Sequence, residues 1–295
     1  MLVKLAYVGL GNMGLPMAKN LAKVYDTVYG LNRSKGKEEL FAQAGGKVGL
    51  SLAELAQTVD VIMTCLPLPA DVEKVYFGED GILANGHPGL VAIDFSTVSP
   101  DLSQNIYEAA LEKEIDFLDA PVSGGPWGAE AGTLSIMVGG KEEVFNKVKP
   151  VLEVMGQHIY YLGPSGSGSA VKLINQLVVG IHTQAVSEAL VLAKAVGLDQ
   201  QKVFDILHNS YAQSRIFERH YTQFIEKDHY DPGFALELLQ KDTNLVQELA
   251  QKKGLTLPVG QQVNELLREA KESGYAKEDM SSMYKFIQGK NNLLS

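Results

Sequence analysis

The chain is poor in cysteine: in 295 residues Cys65 stands alone. That excludes an internal disulfide and a cysteine-based zinc site, and makes a reducing cytoplasm the natural compartment. Basic charge is also short. Lys and Arg number 26 against 35 Asp and Glu, a net of −9, which excludes the broad basic surface that nucleic-acid binding requires. The 6 histidines include no pair at helical ligand spacing, so no metal is expected. No apolar run of about 18 residues escapes polar interruption, and the first residues lead straight into a glycine motif. Neither a membrane span nor a signal peptide is therefore expected. Hydrophobic residues make up 45% and charged residues 21%. A disordered chain is excluded, and a core can form without disulfides or metals.

What is present changes character near residue 163. Before it, short apolar runs rich in β-branched residues alternate with helical patterns. Strands are predicted at Leu2–Val8, Thr27–Leu31, Val59–Leu66, Leu90–Phe95, Ile115–Leu118, Leu134–Val138 and Gln157–Leu162. Helices are predicted at Asn12–Val24, at Ser51–Gln57, and from Ser99-Pro100, where Ser is an N-cap and Pro the first helical residue. This alternation implies an α/β Rossmann-type domain, a parallel sheet with helices on both faces. After Gly168, Ser169–Val196 reads as one long helix, apolar on nearly every face and hence buried, ending at Gly197. Helices only are predicted beyond it: Gln200–Asn209, Arg215–Glu226, Ala235–Lys252, Val259–Ser273 and Asp279–Gln288. The expected division is a cofactor-binding domain over residues 1–163 and an all-α domain over 164–295, entered by the long central helix.

Between the first strand and first helix lies Gly9-Leu10-Gly11-Asn12-Met13-Gly14. This is G-x-G-x-x-G in the context that dinucleotide binding requires. Gly9 permits the tight turn, Gly11 the approach of a pyrophosphate, and Gly14 close packing of helix on strand. The second predicted strand runs into Asn32-Arg33-Ser34. An NAD site commonly places an acid there for the ribose hydroxyls; here an amide stands instead, followed by a guanidinium and a hydroxyl suited to a 2′-phosphate. NADP(H) is the expected cofactor.

The chain resembles the β-hydroxyacid dehydrogenase family, on segments that occur in the family's order. These are Gly9 to Met17; Asp119-Ala120-Pro121-Val122-Ser123-Gly124-Gly125 with Gly128, Ala129 and Gly132-Thr133-Leu134; Gly166-Ser167-Gly168-Ser169-Ala170-Val171-Lys172-Leu173-Ile174-Asn175-Gln176; and Gly233-Phe234 with Gln240-Lys241-Asp242. The family includes 3-hydroxyisobutyrate dehydrogenase, tartronate semialdehyde reductase and glyoxylate/succinic semialdehyde reductase. The resemblance implies oxidation of hydroxy acids, or reduction of the matching aldehyde-acids, with NAD or NADP.

Hydride transfer to a carbonyl needs an aligned cofactor, a proton donor for the developing alkoxide, and a clamp on the charged substrate. Lys172 is the expected general acid/base. As a bare residue it is more commonly a snorkelling side chain or an ion-pair member; the resemblance favours catalysis. A desolvated position near a helix N-terminus would disfavour its charged form. Asn175 and Gln176 follow at spacings that share its helix face. The resemblance implies that Asn175 binds substrate and leaves Gln176 open. Ser123, Gly124 and Gly125 are expected to hold the substrate carboxylate. Asp242 as a catalytic partner, Lys241 beside the cofactor and Phe234 in the substrate pocket rest on the resemblance. So do Leu66, Pro67 and Thr97 beside the cofactor, all at apparent strand ends. Arg215 stays open as a second anchor.

The expected activity is NADPH-dependent reduction of glyoxylate or succinic semialdehyde, with 3-hydroxyisobutyrate and tartronate semialdehyde as alternatives. Imine reductases of this fold typically lack the lysine, so Lys172 speaks against that class and against a non-catalytic cofactor-binding module. The long apolar helix suggests a homodimer or homotetramer.

Overall fold

The apolar runs of the first half form strands buried on both sides. In β1 (Leu5–Val8), Leu5 and Tyr7 face one hydrophobic core while Ala6 and Val8 face another. Near-continuous apolar sequence is what a parallel sheet covered on both faces demands. The structure, a computed structural model, describes residues 3–293, so the predicted start of this strand at Leu2 lies outside the described residues. The chain divides into one unit ending at Lys172 and another beginning at Leu173.

In the first unit β1 is followed by α1 (Gly14–Ala22), β2 (Val28–Leu31), α2 (Lys35–Ala42), α3 (Leu52–Thr58), β3 (Val61–Thr64), α4 (Pro69–Phe77), α5 (Ile82–Asn85), β4 (Val91–Asp94), α6 (Pro100–Leu111) and β5 (Asp116–Asp119). Then come β6 (Val122–Ser123), α7 (Gly125–Ala131), β7 (Leu134–Gly140), α8 (Glu142–Leu152) and β8 (Gly156–Tyr161). Helix starts obey local chemistry. Ser51 and Glu54 form a reciprocal capping box on α3, and Ser99 Oγ accepts the Leu102 N–H at the start of α6, as expected.

The strand order is β2-β1-β3-β4-β5-β7-β6, with β8 paired to β7. Strands β2, β1, β3, β4 and β5 are parallel neighbours. The parallel sheet expected from the alternation runs through these strands, and at its far side β7 adds antiparallel pairings with both β5 and β6. The two-residue β6, held between Pro121 and Gly124, is too short to leave a periodic signal. Since β1 pairs with β2 on one side and β3 on the other, the chain reverses its winding there, and the loops after these strands border the crevice where such sheets bind ligands.

The long helix α9 (Ser167–Ala195) carries the chain from the first unit into the second. By length and composition it is apolar enough to cross a membrane, but 50% of its most apolar window is buried within the protein, as in a core helix. The expectation of burial on every face is corrected. Val171, Ile174, Val178, Leu192 and Val196 are exposed, because the cores need only the faces bearing Leu173, Val186, Leu190 and Val191.

The second unit continues with α10 (Gln200–His208), α11 (Arg215–His220), α12 (Leu236–Lys252), α13 (Pro258–Ala270) and α14 (Met283–Lys290). Two of the predicted helices end in π-helical turns, Tyr221–Ile225 and Lys271–Tyr275. Phe204 stacks on Tyr221 at 4.5 Å between ring centroids and packs on Phe217 at 5.2 Å. Beside this core lies an ionic cluster. Both carboxylate oxygens of Asp279 accept from the Arg219 guanidinium, at 2.9 and 2.6 Å, and Asp279 also accepts the backbone N–H groups of Gly233, Phe234 and Ser281. Arg219 in turn lies 3.2 Å from Nδ1 of the wholly buried His220, whose Nε2 meets Thr183 Oγ1. A guanidinium only donates, so Nδ1 accepts, Nε2 carries the proton, and the imidazole is neutral. Burial, reinforced by Arg219, pushes its pKa down to about 3.

Candidate functional site

The glycine motif occupies the turn between β1 and α1, and its three glycines are required for different reasons. Gly9 has φ +97°, and a side chain there would strike the carbonyl of Cys65. A Cβ on Gly14 would collide with the Gly9 carbonyl oxygen, so helix and strand meet only across a bare backbone. At Gly11 a Cβ would meet no protein atom within 4 Å. Nothing inside the protein demands glycine there, whereas a pyrophosphate resting on the backbone would. The turn therefore fits a dinucleotide, whose phosphates the loop Gly9, Leu10, Gly11, Asn12, Met13 and Gly14 would hold at the start of α1. The glycines separate by experiment. Gly14→Ala should cost about 1–3 kcal/mol or more in stability. Gly11→Ala should leave the melting temperature in place while weakening NAD(P)H binding about tenfold in a fluorescence titration. Equal loss of melting temperature in both would contradict this division of roles.

Asn32 lies at the end of β2 but its side chain is committed to hydrogen bonds within the protein. Its Oδ1 accepts the Leu10 N–H at 2.9 Å, and its Nδ2 donates to the carbonyl and hydroxyl oxygens of Ser34. Asn32 thus ties the glycine turn to the β2–α2 turn, and Arg33 and Ser34 beside it are exposed. The sequence shows no acid at this strand end, but the fold supplies one: Glu38, from α2, accepts the Asn32 N–H at 2.8 Å.

Leu66-Pro67 follow β3, and Thr97 follows β4. Ser96, which sequence reasoning missed, links these two segments: its Oγ accepts the Leu66 N–H at 2.9 Å and donates to Asp94 at 2.6 Å. Asp94 also accepts from Thr64 Oγ1, which meets the Tyr76 hydroxyl. Burial pushes the Asp94 carboxyl up to about 6, against the pull of the Ser96 and Thr64 hydrogen bonds. The available signal was a hydroxyl run, Ser96-Thr97, directly after a strand.

Ser123 ends β6, and Gly124 and Gly125 follow with φ of +139° and +65°. Both angles favour glycine and leave this turn with no side chain between its backbone and a ligand. Lys172, on α9 in the same unit, is 8% exposed. The first turn of α9 is closed by Asp119 at the end of β5, which accepts the N–H groups of Gly166 at 2.8 Å and Ser169 at 2.9 Å. A carboxylate at a helix N-terminus satisfies N–H groups that the helix itself leaves open.

In the second unit Gln176 acquires a definite place. Asn175 Nδ2 donates to Gln176 Oε1 at 2.9 Å, and Gln176 Nε2 donates to Asp242 Oδ2 at 2.6 Å. Lys241 Nζ lies 2.7 Å from Asp242 Oδ1 as an ion pair. Gln176 therefore fixes the Asn175 carboxamide against the buried Asp242. Phe234 is held through its backbone by Asp279, and its ring is partly buried against the helical core. Arg215 is exposed at the start of α11.

Comparison with known proteins agrees with these features. Residues 4–163 match the family described as the NAD binding domain of 6-phosphogluconate dehydrogenase, and residues 166–287 the one described as NAD-binding of NADP-dependent 3-hydroxyisobutyrate dehydrogenase. The chain is 38% identical to 2-(hydroxymethyl)glutarate dehydrogenase of Eubacterium barkeri, covering 96% of this chain and 94% of that protein. It is 37% identical to 2-hydroxy-3-oxopropionate reductase of Escherichia coli, over 97% of each. The crystal structure of 3-hydroxyisobutyrate dehydrogenase from Salmonella typhimurium superposes with a TM-score of 0.88 at 30% identity, covering 96% of this chain and 99% of that one. A glycine turn shaped for a dinucleotide, a buried lysine on the long helix and full-length likeness to these enzymes converge: the chain belongs to the β-hydroxyacid dehydrogenase family of NAD(P)-dependent oxidoreductases.

Proposed function

We propose that this enzyme reduces short aldehyde-acids, glyoxylate and succinic semialdehyde foremost, to hydroxy acids with NADPH. The observation that carries the chemistry is Lys172, an 8% exposed lysine near the start of α9. Lysine is among the residue types least often buried. The bound dihydronicotinamide supplies the hydride. Lys172 holds the proton that reaches the carbonyl oxygen, and takes it back in the oxidative direction. Ser123, Gly124 and Gly125 bind the acid group through a hydroxyl and backbone N–H groups. Asn175 adds its carboxamide, which Gln176 and Asp242 orient. Leu66, Pro67, Thr97 and Lys241 flank the cofactor. The relative named 2-hydroxy-3-oxopropionate reductase supports tartronate semialdehyde as a second substrate. Following NADPH oxidation across these aldehyde-acids tests the reading, and turnover of cyclic imines alone would overturn it. The exposed apolar residues of α9 support a homodimer or homotetramer, and light scattering that finds a monomer would reject it.

The NADPH preference rests on Arg33 rather than on Asn32, whose amide is used internally. Arg33→Ala should weaken NADPH binding about tenfold, at the low end of a charge-assisted contact because the site is exposed, and leave NADH binding unchanged. Equal loss for both cofactors in a fluorescence titration would return Arg33 to the role of a surface residue.

A further inference from the structure

The buried carboxylate of Asp119 has no part in the chemistry described so far, and its surroundings are unusually complete. It is 1% exposed. Its Oδ1 accepts the Gly166 N–H at 2.8 Å and the Ser165 hydroxyl at 3.3 Å, while its Oδ2 accepts the Ser169 N–H at 2.9 Å. Gly139 and Gly168 line it, and a side chain on either would come within 2.9 Å of the carboxylate. A second tie joins the same turn to α6, since Ser169 Oγ lies 2.9 Å from Ser103 Oγ. Lys172 sits one turn further along α9. Side chains on a helix lean toward its N-terminus, so the Cα–Cβ bond of Lys172 tilts toward the turn that Asp119 holds. The same carboxylate closes β5, whose continuation runs through Pro121 to Ser123 and Gly124. One side chain thus joins the strand leading to the proposed carboxylate clamp with the turn presenting the proposed proton donor.

We infer that Asp119 is a positioning residue for Lys172, its carboxylate fixing the first turn of α9 and with it the place where the ammonium is presented. The inference rests on the reading of Lys172 as the proton donor. Asparagine keeps the shape at 119 but turns one acceptor into a donor, which must then face a backbone N–H. Proton transfer is sensitive to shifts well under an ångström, so Asp119→Asn should lower kcat by about 10- to 100-fold. NADPH affinity, read by fluorescence without turnover, should stay within about threefold. Ser165→Ala, which keeps both backbone bonds, should hold kcat within about threefold.

If Asp119→Asn does not accumulate as folded protein, Ser103→Ala with Ser169→Ala loosens the same turn while keeping the carboxylate. It should lower kcat several-fold with NADPH affinity unchanged. Undiminished kcat in folded Asp119→Asn, or in that double variant, would overturn the inference. So would a parallel fall of kcat, NADPH affinity and melting temperature, which marks a merely structural role. Lys172→Ala separates the levels: if it keeps wild-type kcat, the proton-donor reading fails and takes this one with it. If it is inactive while Asp119→Asn is fully active, only the positioning role fails.

Discussion

Lys172→Ala is expected to lose kcat by about 100- to 10,000-fold, the range for removal of a general acid. NADPH binding should remain nearly intact, because in the proposed site the glycine turn, and not Lys172, holds the phosphates. The substitution also leaves a space beside a buried helix, so circular dichroism must show a native fold before the rate is read. Near-normal turnover in the folded variant would reject the assignment. If kcat and KM fall together, the lysine would instead be straining the bound substrate.

Acid should dismantle the second unit before the first. His220 is neutral in the fold, with its pKa depressed from an ordinary 6.5 to about 3. Unfolding frees it to take up a proton, so its contribution to stability is complete above pH 6.5 and is lost as pH falls toward 3. The loss is about 2 kcal/mol at pH 5 and about 5 kcal/mol at the limit. In the first unit Asp94 has the opposite sign. With its pKa raised to about 6, it costs the fold least when protonated and opposes folding as pH rises from 3.8 through 6. Acidification therefore relieves the first unit while it weakens the second. The chain's one tryptophan, Trp127, belongs to α7 in the first unit. Helical circular dichroism should accordingly fall at a higher pH than Trp127 emission shifts, and His220→Gln should move the circular dichroism transition toward acid. Coincident transitions, unmoved by His220→Gln, would assign the proton uptake to another group.

The parts of the fold that could be read from the sequence are those with a local code. The Gly9–Gly14 turn, the Ser99-Pro100 helix start and the strands around Tyr7, Met63 and Ile93 each carry their instruction within a few residues. What escaped reading depends on partners far along the chain. Gln176 had no assignable role because its meaning lies in Asp242, 66 residues away. Ser96 gains its role from Leu66, 30 residues earlier. The antiparallel course of β7 escaped because one of its partners, Val122–Ser123, is too short for a period to register. The long helix misled for a different reason. Apolar composition reports what a helix can bury, and Ile174 at 60% exposure shows that its own cores leave part of that capacity unused. The candidate site divides in the same way. The cofactor turn and Lys172 are legible as motifs, whereas the internal hydrogen bonds of Asn32 and the carboxylate of Glu38 at the end of β2 depend on side-chain geometry.

Asp119 also bears on how the protein is made and how it can be cut. Its donors Gly166 and Ser169 are 47 and 50 residues downstream. As the chain leaves the ribosome, every strand of the first unit through Tyr161 is complete while this carboxylate still lacks the N–H groups that satisfy it. Until the start of α9 is synthesised the carboxylate is left to water, so the end of β5 should stay loosely seated until then. The same reasoning sets where the first unit can be severed. A fragment ending at residue 163 contains the whole sheet but lacks the Ser165, Gly166 and Ser169 donors of Asp119, whereas one extended past Ser169 carries them.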